Sequence, residues 1–160
     1  TLDFDSWYLG ERPKVVASVA AITGRPSIAA DAADEAFTRA VERWKRVSAM
    51  ESPGGWVYRT ALNVARRRLR RDRAIARLVR SHSILSPSDA SPPDWPLEFW
   101  EALAVLTPRE RQAVVLRHVA DLTTRDIAAA MGVSTGTVSS TLHSARRRMS
   151  DAEQREASDA

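Results

Sequence analysis

The stretch TRDIAAAMGVSTGTVSSTLH, residues 124–143, decides how the second half of the chain folds. Ala128 is small where two short helices must cross closely, and Gly132 stands at a turn where a left-handed backbone is cheap for glycine. Ser134 is placed to cap the second helix. This spacing predicts a helix-turn-helix, a motif that lays its second helix in the major groove of DNA. An ordinary helical hairpin needs no small residue and no glycine at these positions.

The residues of this motif divide into a packing face and an outer face. The packing face holds Ile127, Met131, Val133, Val138 and Leu142, and the outer face holds Thr135, Gly136, Thr137, Ser139, Ser140, Thr141 and His143. Arg146, Arg147 and Arg148 close the same helix, where they can reach phosphates. The motif therefore predicts DNA binding.

Upstream of the motif the chain again reads as helical. Thr107, Pro108 and Glu110 form the pattern of a capping box, with a helix expected to about Val119 and another segment over 97–106. Residues 81–96, SHSILSPSDASPPDWP, are rich in Ser, Pro and Asp and have no helical period. They predict a linker.

The first half predicts three helices. An apolar face runs from Phe4 and ends at Gly24. Within this stretch, Pro13 is expected to kink the helix or to start a new one. A second stripe comprises Ala33, Ala36, Phe37, Ala40, Val41 and Trp44. After a loop over 47–55, a third helix is expected from Trp56 to Val79. The prediction is an all-α fold of two small helical domains, 1–80 and 97–160, joined by the flexible linker.

Charge is distributed unevenly along the 160 residues, whose formal net charge is +4. Residues 59–80 contain nine Arg and one acid, Asp72, and so carry +8. Such a segment is typical of phosphate binding, although a solvated helix face has the same composition. Residues 81–100 carry −3, and residues 101–160 are balanced.

Composition excludes several classes of function. The chain has no Cys, which excludes disulfides, thiol nucleophiles and Cys-based zinc sites. Its three His residues share no metal-ligand spacing with acids, and no phosphate-binding Gly loop is present. We expect no enzyme activity, no metal and no cofactor. No apolar run approaches the ~20 residues of a membrane span and no leader is visible, so a cytoplasmic location is expected.

Several stretches together resemble bacterial sigma-70-type factors of the short, extracytoplasmic-function (ECF) group. They are DAADEAF (31–37) with RAVERW (39–44), WVYRTALN (56–63) with the Arg run, and LTPRERQAVVLR (106–117) with the helix-turn-helix. The resemblance implies a sigma region 2 domain, a linker and a sigma region 4 domain. Its implied function is that of a subunit that binds core RNA polymerase and directs initiation at promoters with −35 and −10 elements.

The resemblance also assigns residues to partners. The helix that docks on the β′ clamp helices would present Asp31, Asp34, Glu35, Arg39 and Arg43, although a solvated face is the alternative. The −10 element would meet Val47, Trp56, Tyr58, Arg59 and Asn63, with Arg66, Arg67, Arg70 and Arg71 on backbone phosphates. Asn63 and Val47 would help to hold a flipped base, while Trp56 fits a core position better than a stacking platform.

Region 4 would bind the β flap of the polymerase and read the −35 element. Its implied DNA contacts are Arg125, Thr135, Thr137, Ser139, Ser140, Thr141, His143, Arg146 and Arg147. Many relatives carry Arg at the positions of Ser139 and Thr141, and Arg is the strong reader of guanine, so a weaker, water-mediated or differently specified contact is expected. Asp34 replaces the usual Gln, which leaves the detail of the clamp contact open.

Two further points remain open at this stage. The acidic linker fits a path through a basic polymerase channel and fits a plain solvated linker equally well. An anti-sigma protein is a further candidate partner. The alternative function is a stand-alone helix-turn-helix regulator with an N-terminal helical interaction domain, but a sensor half would usually offer a ligand pocket or a phosphoacceptor Asp. A pure interaction protein is disfavoured by the DNA-reading helix.

Overall fold

The computed structural model describes residues 1–80 and 95–160, apart from the side chains of residues 79 and 80. Those residues form helices and no strand, which confirms the all-α prediction. The first half contains α1 (Phe4–Thr23), α2 (Pro26–Glu42), α3 (Trp44–Val47) and α4 (Pro53–Arg80). The second half contains α5 (Leu97–Ala104), α6 (Pro108–His118), α7 (Thr124–Met131) and α8 (Thr135–Asp159).

Helix α1 runs through Pro13 as one element, so no new helix begins there. It starts at Asp3, whose carboxylate accepts a hydrogen bond from the backbone N–H of Ser6 over 3.0 Å. It ends at Gly24, which has a φ of 68° and donates its N–H to the carbonyl of Ala20. A left-handed residue at this position is typical of glycine and closes the helix as the sequence predicts.

The apolar stripe of α2 is confirmed over most of its length and wrong at Val41. Ala33, Ala36, Phe37 and Ala40 are buried, but Val41 is 48% exposed. The helix ends at Glu42 and a separate short helix begins at Trp44, whose ring packs on those of Phe4 and Trp7. Because the helix breaks after Glu42, Trp44 packs on these two partly buried rings and does not continue the stripe.

Helix α4 begins at Pro53, three residues before the predicted start. Ser52 accepts a hydrogen bond from the N–H of Gly55 over 2.9 Å, and Pro53 occupies the first helical turn. This is the pattern of a capped helix with proline at its first position. The earlier start matters because it places Gly54 and Gly55 on the helix.

The second half follows its local signals closely. The capping box of α6 is present, with Glu110 N–H donating to Thr107 and Thr107 N–H donating to Glu110. Trp95, which the sequence places in the linker, lies just before α5 and packs on the rings of Phe99 and Trp100 within that helix. Apart from Trp95 and Pro96, the predicted linker lies outside the described residues.

The two halves share one apolar core, which the sequence does not indicate. A single cluster of buried side chains joins Val15, Val19 and Tyr58 of the first half to Leu116 and Ile127 of the second. Helix α7 lies on α4, and α6 lies on α1. The halves are therefore packed together and not held apart at the two ends of a linker.

Candidate nucleic-acid interface

The helix-turn-helix has the geometry that its sequence predicts. Gly132 has a φ of 67° and closes α7, and Ser134 accepts a hydrogen bond from the N–H of Thr137 to begin α8. Ile127, Ala128, Val138 and Leu142 are buried between the helices, with Met131 and Val133 partly buried. Thr123, which sequence reasoning missed, caps α7 by accepting from the N–H of Asp126.

The outward face of α8 consists of hydroxyl groups and one imidazole. Thr135, Ser139, Ser140 and His143 are exposed, and Thr137 and Thr141 are half-buried. The hydroxyls of Ser140 and Thr141 donate to the carbonyl of Thr137 over 3.0 and 2.7 Å. The O–H donor of each hydroxyl is thus already used within the helix, and its oxygen remains able to accept a hydrogen bond from a base edge.

The charge of α8 changes sign along its length. Arg146 and Arg147 are exposed, whereas Arg148 donates to Oε2 of Glu110 over 2.9 Å. Arg148 is therefore held by α6. Of the three arginines predicted to reach phosphates, Arg146 and Arg147 remain available for that contact. Beyond them the helix continues with four acids and one base, Asp151, Glu153, Arg155, Glu156 and Asp159.

Glu110 is a structural residue whose full role the sequence did not reveal. The residue is 5% exposed, and its carboxylate accepts from Ser144 and Arg148 of α8 as well as from the Thr107 backbone. Burial alone would raise its pKa, but these hydrogen bonds and the charge of Arg148 outweigh burial and lower the pKa. Only the capping half of this arrangement has a local sequence signal.

The residues predicted to meet the −10 element lie at different depths. Asn63 and Arg59 are exposed on α4, and Trp56 is half-buried. Val47 and Tyr58 are completely buried. Burial raises the pKa of the Tyr58 phenol well above its usual range. In this conformation Val47 and Tyr58 form part of the core behind the surface and not the surface itself.

The Arg run of α4 is spread over three sides of the helix. Arg66 donates to the side-chain oxygen of Gln112 on α6. Arg67, Arg68 and Arg71 line a groove of about 530 Å³ between α2 and α4, together with Arg25, and Asp31, Glu35 and Asp72 lie among them. Arg70 is exposed on the remaining face.

The charged side chains of α2 pair with α1 and α4. Arg68 donates to Asp31 over 2.8 Å and to Glu35 over 3.4 Å, and Arg12 donates to Asp34 over 2.8 Å. Glu35 also pairs with Arg39 on its own helix. Arg43 is exposed beside the end of α2. Arg68, absent from the sequence-based site, is thus the cation that joins α2 to α4.

Within residues 1–80 and 95–160, no cluster of His, Asp or Glu has the arrangement of a metal site. None of the helices there combines the length and hydropathy required to cross a bilayer.

Two known sequence families match this chain in order. Residues 7–75 match the family described as Sigma-70 region 2, and residues 97–149 match Sigma-70, region 4. The boundary between the matches coincides with the segment predicted as a linker.

Curated relatives match over nearly the whole length. The chain is 30% identical over 151 residues to an RNA polymerase sigma-E factor of Streptomyces coelicolor, covering 92% of this chain and 84% of that protein. It is 28% identical over 150 residues to the sigma-E factor of Streptomyces avermitilis, covering 92% and 83%. A 49-residue stretch is 51% identical to the sigma-E factor of Streptomyces antibioticus, covering 31% of this chain and 27% of that protein.

A solved structure shares the fold. The sigma factor RpoE of Bartonella quintana, crystallised in complex with the anti-sigma factor NepR, superposes with a TM-score of 0.72 at 20% identity, over 93% of this chain and 95% of that one. With regions 2 and 4 both present and near-complete alignment to a sigma-E factor, the chain belongs to the sigma-70 family of RNA polymerase sigma factors, the non-catalytic subunits that direct transcription initiation.

Proposed function

We propose that this sigma factor recruits core polymerase through α2 and reads its promoters through α4 and α8. The observation that supports this division is that three chemically different surfaces lie on three helices. Helix α2 presents paired acids and arginines, α4 presents Asn63 with an Arg-rich flank, and α8 presents hydroxyls followed by Arg146 and Arg147.

The face of α2 suits a polar docking site on the β′ clamp helices. Glu35 pairs with Arg39 on this helix, and Asp31, Asp34 and Arg43 are exposed. Exposed ion pairs of this kind are weak, so they exchange partners at low cost. A partner surface with complementary charges would gain orientation and association rate from them.

The surface around Asn63 suits capture of an unpaired −10 base. The side-chain amide is exposed and can both donate and accept in one plane, as recognition of a base edge requires. Trp56 and Arg59 lie within two turns of Asn63 on the same helix. Arg66, Arg67, Arg70 and Arg71 extend along the helix and would contact phosphates, with affinity that falls as salt rises.

The outward face of α8 suits the major groove at the −35 element. Thr135, Thr137, Ser139, Ser140, Thr141 and His143 would face base edges, while Arg125, Arg146 and Arg147 would contact phosphates. Because the face has no arginine among its hydroxyls, base contacts there are short-range or water-mediated. We infer that −35 recognition contributes less to affinity than −10 capture in this protein.

Two further contacts with the polymerase and one regulator complete the proposal. Region 4 would contact the β flap of the polymerase, and the acidic segment 81–96 would pass through the polymerase channel between the two DNA elements. An anti-sigma protein is proposed as a regulator, supported by the fold shared with a sigma factor solved in such a complex. These activities place the site of action with the polymerase on chromosomal DNA in the cytoplasm.

Transcription in vitro tests the proposal directly. Purified core polymerase is combined with fragmented genomic DNA of the source organism, with and without the full-length chain, and the RNA 5′ ends are mapped. A sigma subunit yields a defined set of transcripts that appear only when the chain is added to core. A stand-alone regulator yields none with core and alters transcription only when another sigma factor is already bound.

A further inference from the structure

The groove of about 530 Å³ between the start of α2 and the middle of α4 gathers four arginines. Arg67, Arg68 and Arg71 line it from α4, where their spacing of three and four residues places them on one side of the helix. Arg25, the residue before α2, lines it from the other helix. The volume of the groove lies within the range of small-molecule sites, about 300–1,000 Å³.

Only part of this positive charge is neutralised within the protein. Arg68 is shared between Asp31 and Glu35. Arg67 and Arg71, four residues apart, are exposed and have no ion pair or hydrogen bond with any residue in 1–80 or 95–160. Like charges at this spacing on a helix repel each other, so an anion bound between the two guanidinium groups would be favoured.

Arg25 is weakly bound for a half-buried cation. Its Nη2 lies 3.4 Å from Oδ2 of Asp72, and its Nε is covered by protein without a hydrogen-bond acceptor. The first contact is at the long limit of a hydrogen bond, and a buried donor without an acceptor is unfavourable. The guanidinium of Arg25 therefore gains by turning toward a stronger acceptor in the groove.

The start of α2 adds backbone donors to the same groove. Its N-cap residue, Arg25, provides no side-chain acceptor, and the first turn contains no acid. Ser27 and Ile28 of that turn line the groove. Because the first N–H groups of a helix have no partner within the helix, this end carries a partial positive charge of the same sign as the four arginines.

We propose that this groove binds the diphosphate or polyphosphate group of a free small molecule through Arg25, Arg67 and Arg71. A guanidinium group can donate two parallel hydrogen bonds to phosphate oxygens. Two unpaired arginines match a multiply charged end group better than a singly charged internucleotide phosphate. Such a ligand would contact both α2 and α4, and its binding does not depend on the proposed role of either helix in transcription.

The acids of the groove favour a compact anion over a nucleic-acid strand. Asp31, Glu35 and Asp72 lie among the arginines. A strand that continued along the groove would bring further phosphates close to these carboxylates, which would repel them. An end group bound between Arg67 and Arg71 requires no such continuation.

Titration calorimetry with inorganic pyrophosphate and the full-length chain tests the proposal. Arg67→Gln/Arg71→Gln removes both unpaired guanidinium groups and is expected to lower the affinity at least tenfold. Arg73→Gln/Arg77→Gln is the matched control, because it removes the same charge from exposed positions of α4 outside the groove. The control should change the affinity less than twofold, and melting temperatures confirm that both variants are folded.

Two further measurements define the ligand and the role of Arg25. A short thymidine oligonucleotide without terminal phosphates, matched to pyrophosphate in charge, should bind at least tenfold more weakly than pyrophosphate. In NMR spectra of arginine side chains, the Nε–H signal of Arg25 should shift when pyrophosphate is added. The Arg25→Gln variant assigns this signal by its loss.

Any of four results would overturn the inference. Pyrophosphate shows no saturable binding, the two double variants lose affinity equally, or the Arg25 signal does not move. The fourth is an oligonucleotide that binds as tightly as pyrophosphate and with the same dependence on Arg67 and Arg71, which would make the groove a contact for a strand. Because none of these measurements uses polymerase or a promoter, their failure leaves the proposed function standing, and a failure of transcription in vitro does not bear on the groove.

Discussion

Arg148 donates from Nε to Oε2 of Glu110 across 2.9 Å, and this bond joins the DNA-reading helix α8 to α6. The same carboxylate closes the capping box at Thr107 and accepts from Ser144 over 2.9 Å. One nearly buried acid therefore fixes both the beginning of α6 and the position of α8 against it. Ser144 and Arg148 follow Ser140 at successive intervals of four residues, so this carboxylate contacts α8 beside the reading face and fixes its orientation.

Glu110→Gln is expected to lower the free energy of unfolding at neutral pH by about 1–3 kcal/mol, because the buried network loses its negative charge and one of its two acceptor oxygens. The folded pKa of Glu110 is lowered, so its stabilisation is present above the unfolded pKa and lost as pH falls through the folded value. Urea unfolding at neutral and acidic pH should show the variant with a smaller loss of stability on acidification.

The matched control for that experiment is Glu101→Gln on the exposed side of α5. It makes the same chemical change without a buried partner, so its stability and its pH dependence should follow the unmodified protein. A pH profile for Glu110→Gln as steep as that of the parent would contradict the assignment.

Gly132→Ala is expected to destabilise the protein by about 1–2 kcal/mol, because its φ of 67° is costly for any residue with a Cβ. Gly10→Ala is the converse control. Gly10 lies inside α1 with open space around it, and alanine there should stabilise the helix by about 0.5–1 kcal/mol. In thermal unfolding, the melting temperature should fall for Gly132→Ala and rise for Gly10→Ala.

Glu35→Arg should weaken binding to core polymerase about tenfold, roughly 1.4 kcal/mol, by reversing a charge on the proposed docking face. It also removes the partner of Arg39 and Arg68, so its helical content and melting temperature are measured as well. The double variant Glu35→Arg/Arg39→Glu keeps an intrahelical pair with reversed polarity. Recovery of stability without recovery of core binding would separate docking from folding.

Asn63→Ala should slow promoter opening by the equivalent of about 1–3 kcal/mol, the range for one lost bidentate base contact. Permanganate reactivity of unpaired thymines measures the opening, and core binding measured in parallel should be unchanged. Asn63→Asp keeps the shape of the side chain but loses its donor, so it should resemble alanine. Equal loss of opening and core binding would refute the assigned role.

Ser139→Arg should strengthen and respecify the −35 contact. A guanidinium on the exposed face of α8 can donate two hydrogen bonds to one guanine, about 1–3 kcal/mol of discrimination, where the hydroxyl of Ser139 donates one. Selection of bound duplexes from a randomised pool should enrich guanine at one position for the variant and not for the parent. Enrichment by the parent alone would show that the hydroxyl face already reads sequence strongly.

Local signals predicted the second half well. The glycine at 132, the cap at Ser134 and the box at Thr107 and Glu110 each require only neighbours within a few residues, so a single sequence contains the information. The first half was predicted less well: the start of α4 was placed three residues late, and the end of α2 was missed. Val41 is exposed because α2 ends at Glu42, and no propensity in the sequence marks that end.

The packing of the two halves could not be predicted in the same way. Its determinants, such as Gly55 with Ala129 and Ser52 with Asp126, are small or polar residues whose meaning appears only when distant segments meet. The sequence also offered no reason to bury Tyr58 or Val47, which the family resemblance places at the −10 element. The roles assigned to the remaining interface residues stay predictions.

The sign change along α8 sets the polarity with which DNA can approach. The helix is 25 residues long, or about 37 Å at 1.5 Å per residue, and no proline or glycine interrupts it after Gly136. Arg146 and Arg147 attract the phosphate backbone near its middle, whereas the acids from Asp151 to Asp159 repel it at the far end. A duplex laid along the whole helix is therefore unfavourable, and one that crosses its first half at an angle is favoured. Repulsion between the acidic end and the phosphates therefore favours this crossing orientation before any base contact forms.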